Sequence, residues 1–263
     1  MKKYFLIIFL VAFQYISLGQ DILSMLVPLS HDVELGKQVS QQIENNKNIK
    51  ILSPEKYPQS YEYIRQMTTN ILNSGEVKNR NNFAWVVKII HDDKTLNAFC
   101  TPGGYIYVYT GLIKFLDSED HLAGVLAHEI AHADRRHTTK QMLENQGLQL
   151  LTQAVMGKNQ NAILNIAKGL VSLKFSRNDE SDADKMSVNY LCPTFYQADG
   201  AAGFFKKLQE QTKGGTPEFL STHPSPANRV AAISADAANR QCKSSTARRD
   251  MTAYSRFKAT LPK

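Results

Sequence analysis

The chain has 263 residues, 43% hydrophobic and 21% charged, which is enough for one globular core of ordinary composition. Its formal net charge is +7, but the basic residues lack the aromatic interleaving of a nucleic-acid platform, so nucleic acid is not an expected partner. Past the N-terminus no apolar run reaches the roughly 20 residues that a membrane-spanning helix requires, which argues against a polytopic membrane protein.

Met1, Lys2 and Lys3 form a basic start, residues 4–16 an apolar stretch, and Ser17, Leu18 and Gly19 a small-residue cleavage site. This pattern predicts a signal peptide over residues 1–19 and export to a periplasm or similar space. A single membrane anchor is the competing reading, although the apolar run is short for one. No cysteine follows it, so lipoprotein processing is not expected. Residues 20–240 are expected to form one domain, with a helical part over 20–80 and a core over 81–235. Residues 241–263 read as a basic tail that includes Arg248, Arg249, Arg256, Lys258 and Lys263. Such a tail keeps a protein soluble and allows weak peripheral association with anionic membranes.

Residues 31–80 read as mostly helical, with Pro54 and Pro58 marking an interrupting loop. The β-branched and aromatic content of residues 83–90 predicts a strand, 91–94 a turn and 96–99 a second strand. A third strand, 105–110, follows the turn at Pro102, Gly103 and Gly104. Asp117, Ser118, Glu119 and Asp120 carry a helix start, and Leu122, Val125, Leu126, Ile130 and Ala133 continue it as an apolar stripe. Residues 148–155 and 163–173 suggest an amphipathic helical hairpin, and a further helix runs from Glu180 to about Leu191. Two more are expected near 198–211 and 228–238. The expected class is α+β, mainly helical, with a small antiparallel sheet beside the helix that starts at Ser118.

That helix carries His128, Glu129 and His132 in the spacing H-E-x-x-H. Residues four apart share a helix face, so both imidazoles can reach one metal ion, with the Glu129 carboxylate beside them as a general base. The spacing suits zinc, which takes nitrogen and carboxylate ligands and keeps an open position for catalysis. Arg135 and Thr138 stand where a third-histidine extension needs glycine and histidine, so the third ligand must come from elsewhere. His137 is one residue out of place and reads as a structural or surface histidine. Glu180 is the best candidate, with Asp184 one turn later placed to accept the free N–H of a ligand histidine. Asp179 and Asp182 read as acidic residues favoured at a helix N-terminus.

Taken in order, the motifs resemble the HtpX and CAAX-prenyl-endopeptidase family of zinc metallopeptidases, in the gluzincin group. The resemblance rests on His128-Glu-x-x-His132 followed by Glu180-x-x-Ala183-Asp184, on Asn97-Ala98-Phe99 leading to Pro102-Gly103-Gly104, on Arg136-His137, and on Thr222-His223-Pro224 with Arg229. It covers about residues 60–235 and departs from the family pattern at Cys100 and Thr101. It implies one zinc ion per chain, held by His128, His132 and Glu180, and metalloendopeptidase activity on unfolded or extended polypeptide. His223 would donate to the tetrahedral oxyanion or close the site as an extra ligand, and Arg229 would assist or bind the substrate backbone. Main-chain groups of Gly103, Gly104, Tyr105 and Ile106 are expected to pair with the substrate by strand addition. Quality control of exported or envelope proteins is the implied setting. The rival reading is a zinc-bound, non-proteolytic, chaperone-like or scaffold module at the membrane surface, which the retention of Glu129 argues against.

Three cysteines in an exported chain leave one unpaired. Cys192 and Cys242 are expected to form a disulfide, with Cys100 buried and inert.

Overall fold

The computed structural model describes residues 26–157, 159–211, 218–224, 228–242 and 251–263. The expected signal peptide, together with Arg248 and Arg249 of the expected tail, lies outside them. Helix α1 (Leu29–Glu44) repeats apolar side chains at Leu35, Val39 and Ile43, one turn apart, and buries all three. Helix α2 (Pro58–Leu72) begins on Pro58 itself. A first-turn proline loses no helical hydrogen bond, so Pro58 starts a helix where the sequence suggested a loop.

Three strands follow: β1 (Val86–Ile90), β2 (Ala98–Thr101) and, after a short 3-10 turn at Pro102–Gly104, β3 (Tyr105–Tyr109). The sheet is mixed, not wholly antiparallel, because β3 inserts between the other two. It pairs parallel with β1, from Val86 opposite Tyr105 to Ile90 opposite Tyr109, and antiparallel with β2, Ala98 opposite Val108. The connection after β1 explains this order. Asp92 accepts from the Lys94 N–H and the Thr95 hydroxyl, while its own main-chain N–H donates to Thr110 Oγ1 and its carbonyl accepts from the Gly111 N–H. The chain therefore wraps the end of β3 and emerges on its far side. A Cβ at Gly111 would come within 2.5 Å of the Thr95 carbonyl oxygen, so only glycine lets the loop pass.

This order corrects the expected substrate strand. Tyr105 and Ile106 are paired on both sides, and the Gly103 carbonyl accepts from the Ala84 N–H at 2.9 Å. No edge remains at 103–106 for an extended peptide; β1 and β2 are the edge strands.

Helix α3 (Thr110–Phe115) leads to α4 (Glu119–Asp134), which starts where Ser118 Oγ accepts from the His121 N–H and places Glu119 and Asp120 in its first turn. Helices α5 (His137–Val155) and α6 (Gln160–Leu170) form the expected hairpin and pack on α1. Helices α7 (Arg177–Leu191) and α8 (Gly200–Gln211) pack on α4, followed by α9 (Glu218–Thr222), α10 (Arg229–Asn239) and α11 (Met251–Ala259). Alternation along the strands divides the interior. Val87, Ile89, Cys100, Ile106 and Val108 face the body built on α2, α4, α7 and α8, whereas Phe99, Tyr107 and Tyr109 face α1 and the hairpin. The sheet is thus covered by helices on both faces, and α4 is almost wholly enclosed.

The C-terminal segment differs from a solvated tail. Although α11 carries Arg256 and Lys258, it also inserts Tyr254 and Phe257 into the core, and Phe257 stacks on Tyr63 of α2 at 4.3 Å between ring centroids. A disulfide joins Cys192, at the end of α7, to Cys242 beyond α10, and Cys100 is a buried free thiol. Among the described residues no helix is long and apolar enough to cross a membrane.

Candidate metal centre

Helical spacing puts His128 and His132 on one face of α4, with their Nε2 atoms 3.0 Å apart. Opposite them, Ser176 caps α7 by accepting from the Asp179 N–H, which sets Glu180 in the first turns facing α4. Glu180 Oε2 lies 3.4 Å from His128 Nε2, and Oε1 lies 3.3 Å from His132 Nε2. His223, just past α9, brings Nδ1 to 2.9 Å from Glu180 Oε1 and 3.4 Å from His128 Nε2. The ligand atoms of these four side chains all lie within 4.8 Å of one another, and none of the four is more than 1% exposed.

The donor set fits a metal ion. His128 Nδ1 faces Asp184 Oδ1 at 3.0 Å, and His132 Nδ1 faces His137 Nδ1 at 3.1 Å. With the ring protons directed outward, both Nε2 lone pairs turn inward on each other, an arrangement that a shared cation satisfies. Glu129 enters the same enclosure with neither carboxylate oxygen hydrogen-bonded, and His223 Nε2, 3.5 Å from Glu129 Oε1, is likewise without a hydrogen-bond partner. Burial pushes the Glu129 carboxyl above its usual range, and the nearby His223 and His128 only partly oppose this. Glu180 also bears a burial cost, but His223 and the close imidazoles of His128 and His132 outweigh it and hold its carboxyl well below the usual range.

A second layer holds these ligands. Arg229 reaches inward from the start of α10, donating from Nε to Asp184 Oδ2 at 2.6 Å and from Nη2 to Asp184 Oδ1 at 2.7 Å and Glu180 Oε2 at 2.9 Å. Its guanidinium lies 3.7 Å over the Phe205 ring. Arg229 is 2% exposed; its Nε and Nη2 are turned to Asp184 and Glu180, while Nη1 is buried without a hydrogen-bond partner. Phe175 stacks on His132 at 3.9 Å and Phe219 on His223 at 4.3 Å, which restricts both rings.

Two imidazoles and a carboxylate on one helix, faced by a carboxylate from a second, make the arrangement of a metal-dependent peptidase. The chain belongs to peptidase family M48, whose sequence model matches residues 58–237. It is 31% identical over 169 residues to the beta-barrel assembly-enhancing protease of Yersinia pestis, covering 58% of this chain and 33% of that protein. The protein of the same name from Escherichia coli strain K12 is 30% identical with the same coverage. The mitochondrial metalloendopeptidase OMA1 of Arabidopsis thaliana is 31% identical over 143 residues, 54% of this chain and 29% of that protein. The matched region thus spans about a third of each relative's length. These likenesses establish a metallopeptidase of family M48.

The structure brings together His128, Glu129, His132, Glu180, Asp184, His223 and Arg229, and sets Gly103, Gly104, Tyr105 and Ile106 in the turn and the middle of the sheet. Two participants escape sequence reasoning. His137 is buried against His132, and Asp182, read as a helix-terminus acid, holds His137 and Arg135. The Arg136-His137 pair after the zinc motif was the available signal for the first. Asp182 gives none, because its partners lie more than 40 residues away.

Proposed function

We propose that this chain is a zinc-dependent metalloendopeptidase of the cell envelope, with His128, His132 and Glu180 as ligands and Glu129 as general base. The observation that carries this reading is the buried Glu129 carboxylate, free of hydrogen bonds beside a compact set of three imidazoles and one carboxylate. When bound there, zinc supplies Lewis-acid polarisation of a peptide carbonyl and makes an attacking water acidic near neutral pH. Glu129 takes the proton from that water and returns it to the leaving amine, a role its raised proton affinity suits. Asp184, clamped by Arg229, orients His128.

His223 has two candidate roles, as donor to the tetrahedral oxyanion and as an extra ligand that closes the site. Its Nδ1 lies within the ligand cluster, which favours the second in this arrangement. Glu129, His132, Glu180 and His223 are all 0% exposed, so a peptide must displace what covers them, and Phe175, stacked on His132, is part of that cover. Edge strand β2, packed against α4, takes the place of 103–106 as the strand an extended peptide would join. The substrate class is unfolded or extended polypeptide. The N-terminal pattern supports export through residues 1–19 to a periplasm, the basic residues near the C-terminus support peripheral membrane contact, and the assembly-enhancing role in the names of the bacterial relatives supports a part in envelope-protein quality control.

The test is cleavage of unfolded casein by the purified protein, with and without a chelator, beside Glu129→Gln and Glu180→Ala. Chelator-sensitive cleavage that disappears in Glu129→Gln, with about one zinc per chain retained, is expected. Glu180→Ala is expected to lower the zinc content. Equal cleavage by Glu129→Gln rejects the base assignment.

A further inference from the structure

Between α4 and α5 the chain reverses within two residues. Arg136 adopts the left-handed conformation, φ 60° and ψ 26°, which a non-glycine residue holds only when its surroundings fix it. Here the Arg136 guanidinium donates to the Val27 carbonyl at 2.6 Å and to Asp32, and Asp32 also accepts from the Thr139 hydroxyl. The start of α5 is thereby pinned, and its first residue, His137, faces back onto the helix that carries His132. His137 Nδ1 lies 3.1 Å from His132 Nδ1, and His137 Nε2 lies 3.2 Å from Asp182 Oδ2, which also accepts from Arg135 Nε at 2.8 Å.

One assignment of protons satisfies every contact in this chain. If His132 binds metal through Nε2, its proton must sit on Nδ1 and needs an acceptor. His137 Nδ1 is that acceptor only when His137 carries its own proton on Nε2, and that proton points at the Asp182 carboxylate. The two ligand histidines are then held differently. His128 is backed by a carboxylate gripped by Arg229, and His132 by an imidazole whose carboxylate lies one step further out.

We propose that His137 is a positioning residue of the metal centre, fixing the tautomer and ring orientation of His132, with Asp182 fixing His137 in turn. The inference rests on the proposed role of His132 as a ligand.

The test measures zinc affinity of the full chain by competition with a chromogenic chelator, unfolding of the metal-free protein, and the visible spectrum after cobalt loading. His137→Phe keeps the ring but removes the acceptor, and should weaken zinc by roughly 10- to 100-fold and alter the cobalt bands. His137→Asn can place Oδ1 where Nδ1 stands, and should restore affinity and spectrum close to wild type. Asp182→Ala should weaken zinc less than His137→Phe and add nothing when combined with it. Wild-type affinity in His137→Phe would show that His137 only fills space, and failure of His137→Asn to recover or additive losses would equally overturn the proposal. Absence of zinc binding in the wild-type protein would instead defeat the ligand assignment itself, and this inference with it.

Discussion

Arg229 grips both carboxylate oxygens of Asp184, with Nε and Nη2 forming a fork at 2.6 and 2.7 Å. The same Nη2 also reaches Glu180 Oε2, so one buried cation serves two buried carboxylates on α7. Removing it leaves both charges without their partner in a site closed to water. Arg229→Met is expected to destabilise the metal-free protein by about 3–5 kcal/mol in urea unfolding. Arg229→Lys keeps the charge but not the planar fork, and should recover only part of the loss. A loss below about 1 kcal/mol in the methionine variant would mean that the pair is no stronger than one on the surface.

The disulfide between Cys192 and Cys242 closes a loop with a sequence separation of 50 and ties the helix of Glu180 to the helix of Arg229. Opening it enlarges the unfolded ensemble more than it disturbs the folded contacts. Cys242→Ser should lower stability by about 2–4 kcal/mol, read from the midpoint of chemical unfolding. Thiol titration of the denatured, unreduced wild-type protein should find one reactive group per chain, that of Cys100. Three would show that the bridge does not form.

Helices α4 and α8 touch through backbone. A Cβ added at Gly124 would lie 2.1 Å from the Ala201 nitrogen, so the helices must separate to admit it. Because α4 carries His128 and His132, that separation reaches the proposed metal centre. Gly124→Ala is expected to cost about 1–3 kcal/mol or more and to lower zinc occupancy, despite the better helix propensity of alanine. An unchanged melting temperature would show that the contact yields at little cost.

Legibility follows the range of each signal. The α4 helix, its cap at Ser118 and the histidines His128 and His132 are written within about 16 residues, and helical spacing alone puts both of these imidazoles on one face. The spacing of Glu180 and Asp184 likewise shows that the two carboxylates share a face of α7. Strand positions were readable from alternation and composition, but strand order was not. The insertion of β3 between β1 and β2 depends on how the loop at Asp92 wraps Thr110 and Gly111, a contact that no local pattern records. The buried side of α11 was masked by its charge, since Arg256 and Lys258 lie among the residues that carry Tyr254 and Phe257 inward.

By itself, then, the order of residues determined the chemical vocabulary of this protein: which side chains ride on which helix, and with what spacing. Tertiary structure decided their partners. His137 meets His132 because Arg136 is locked by Asp32, 104 residues earlier, and Arg229 meets Asp184 across a separation of 45. Helical and strand periods are properties of a few neighbouring residues, whereas the approach of two helices is set by the packing of the whole core.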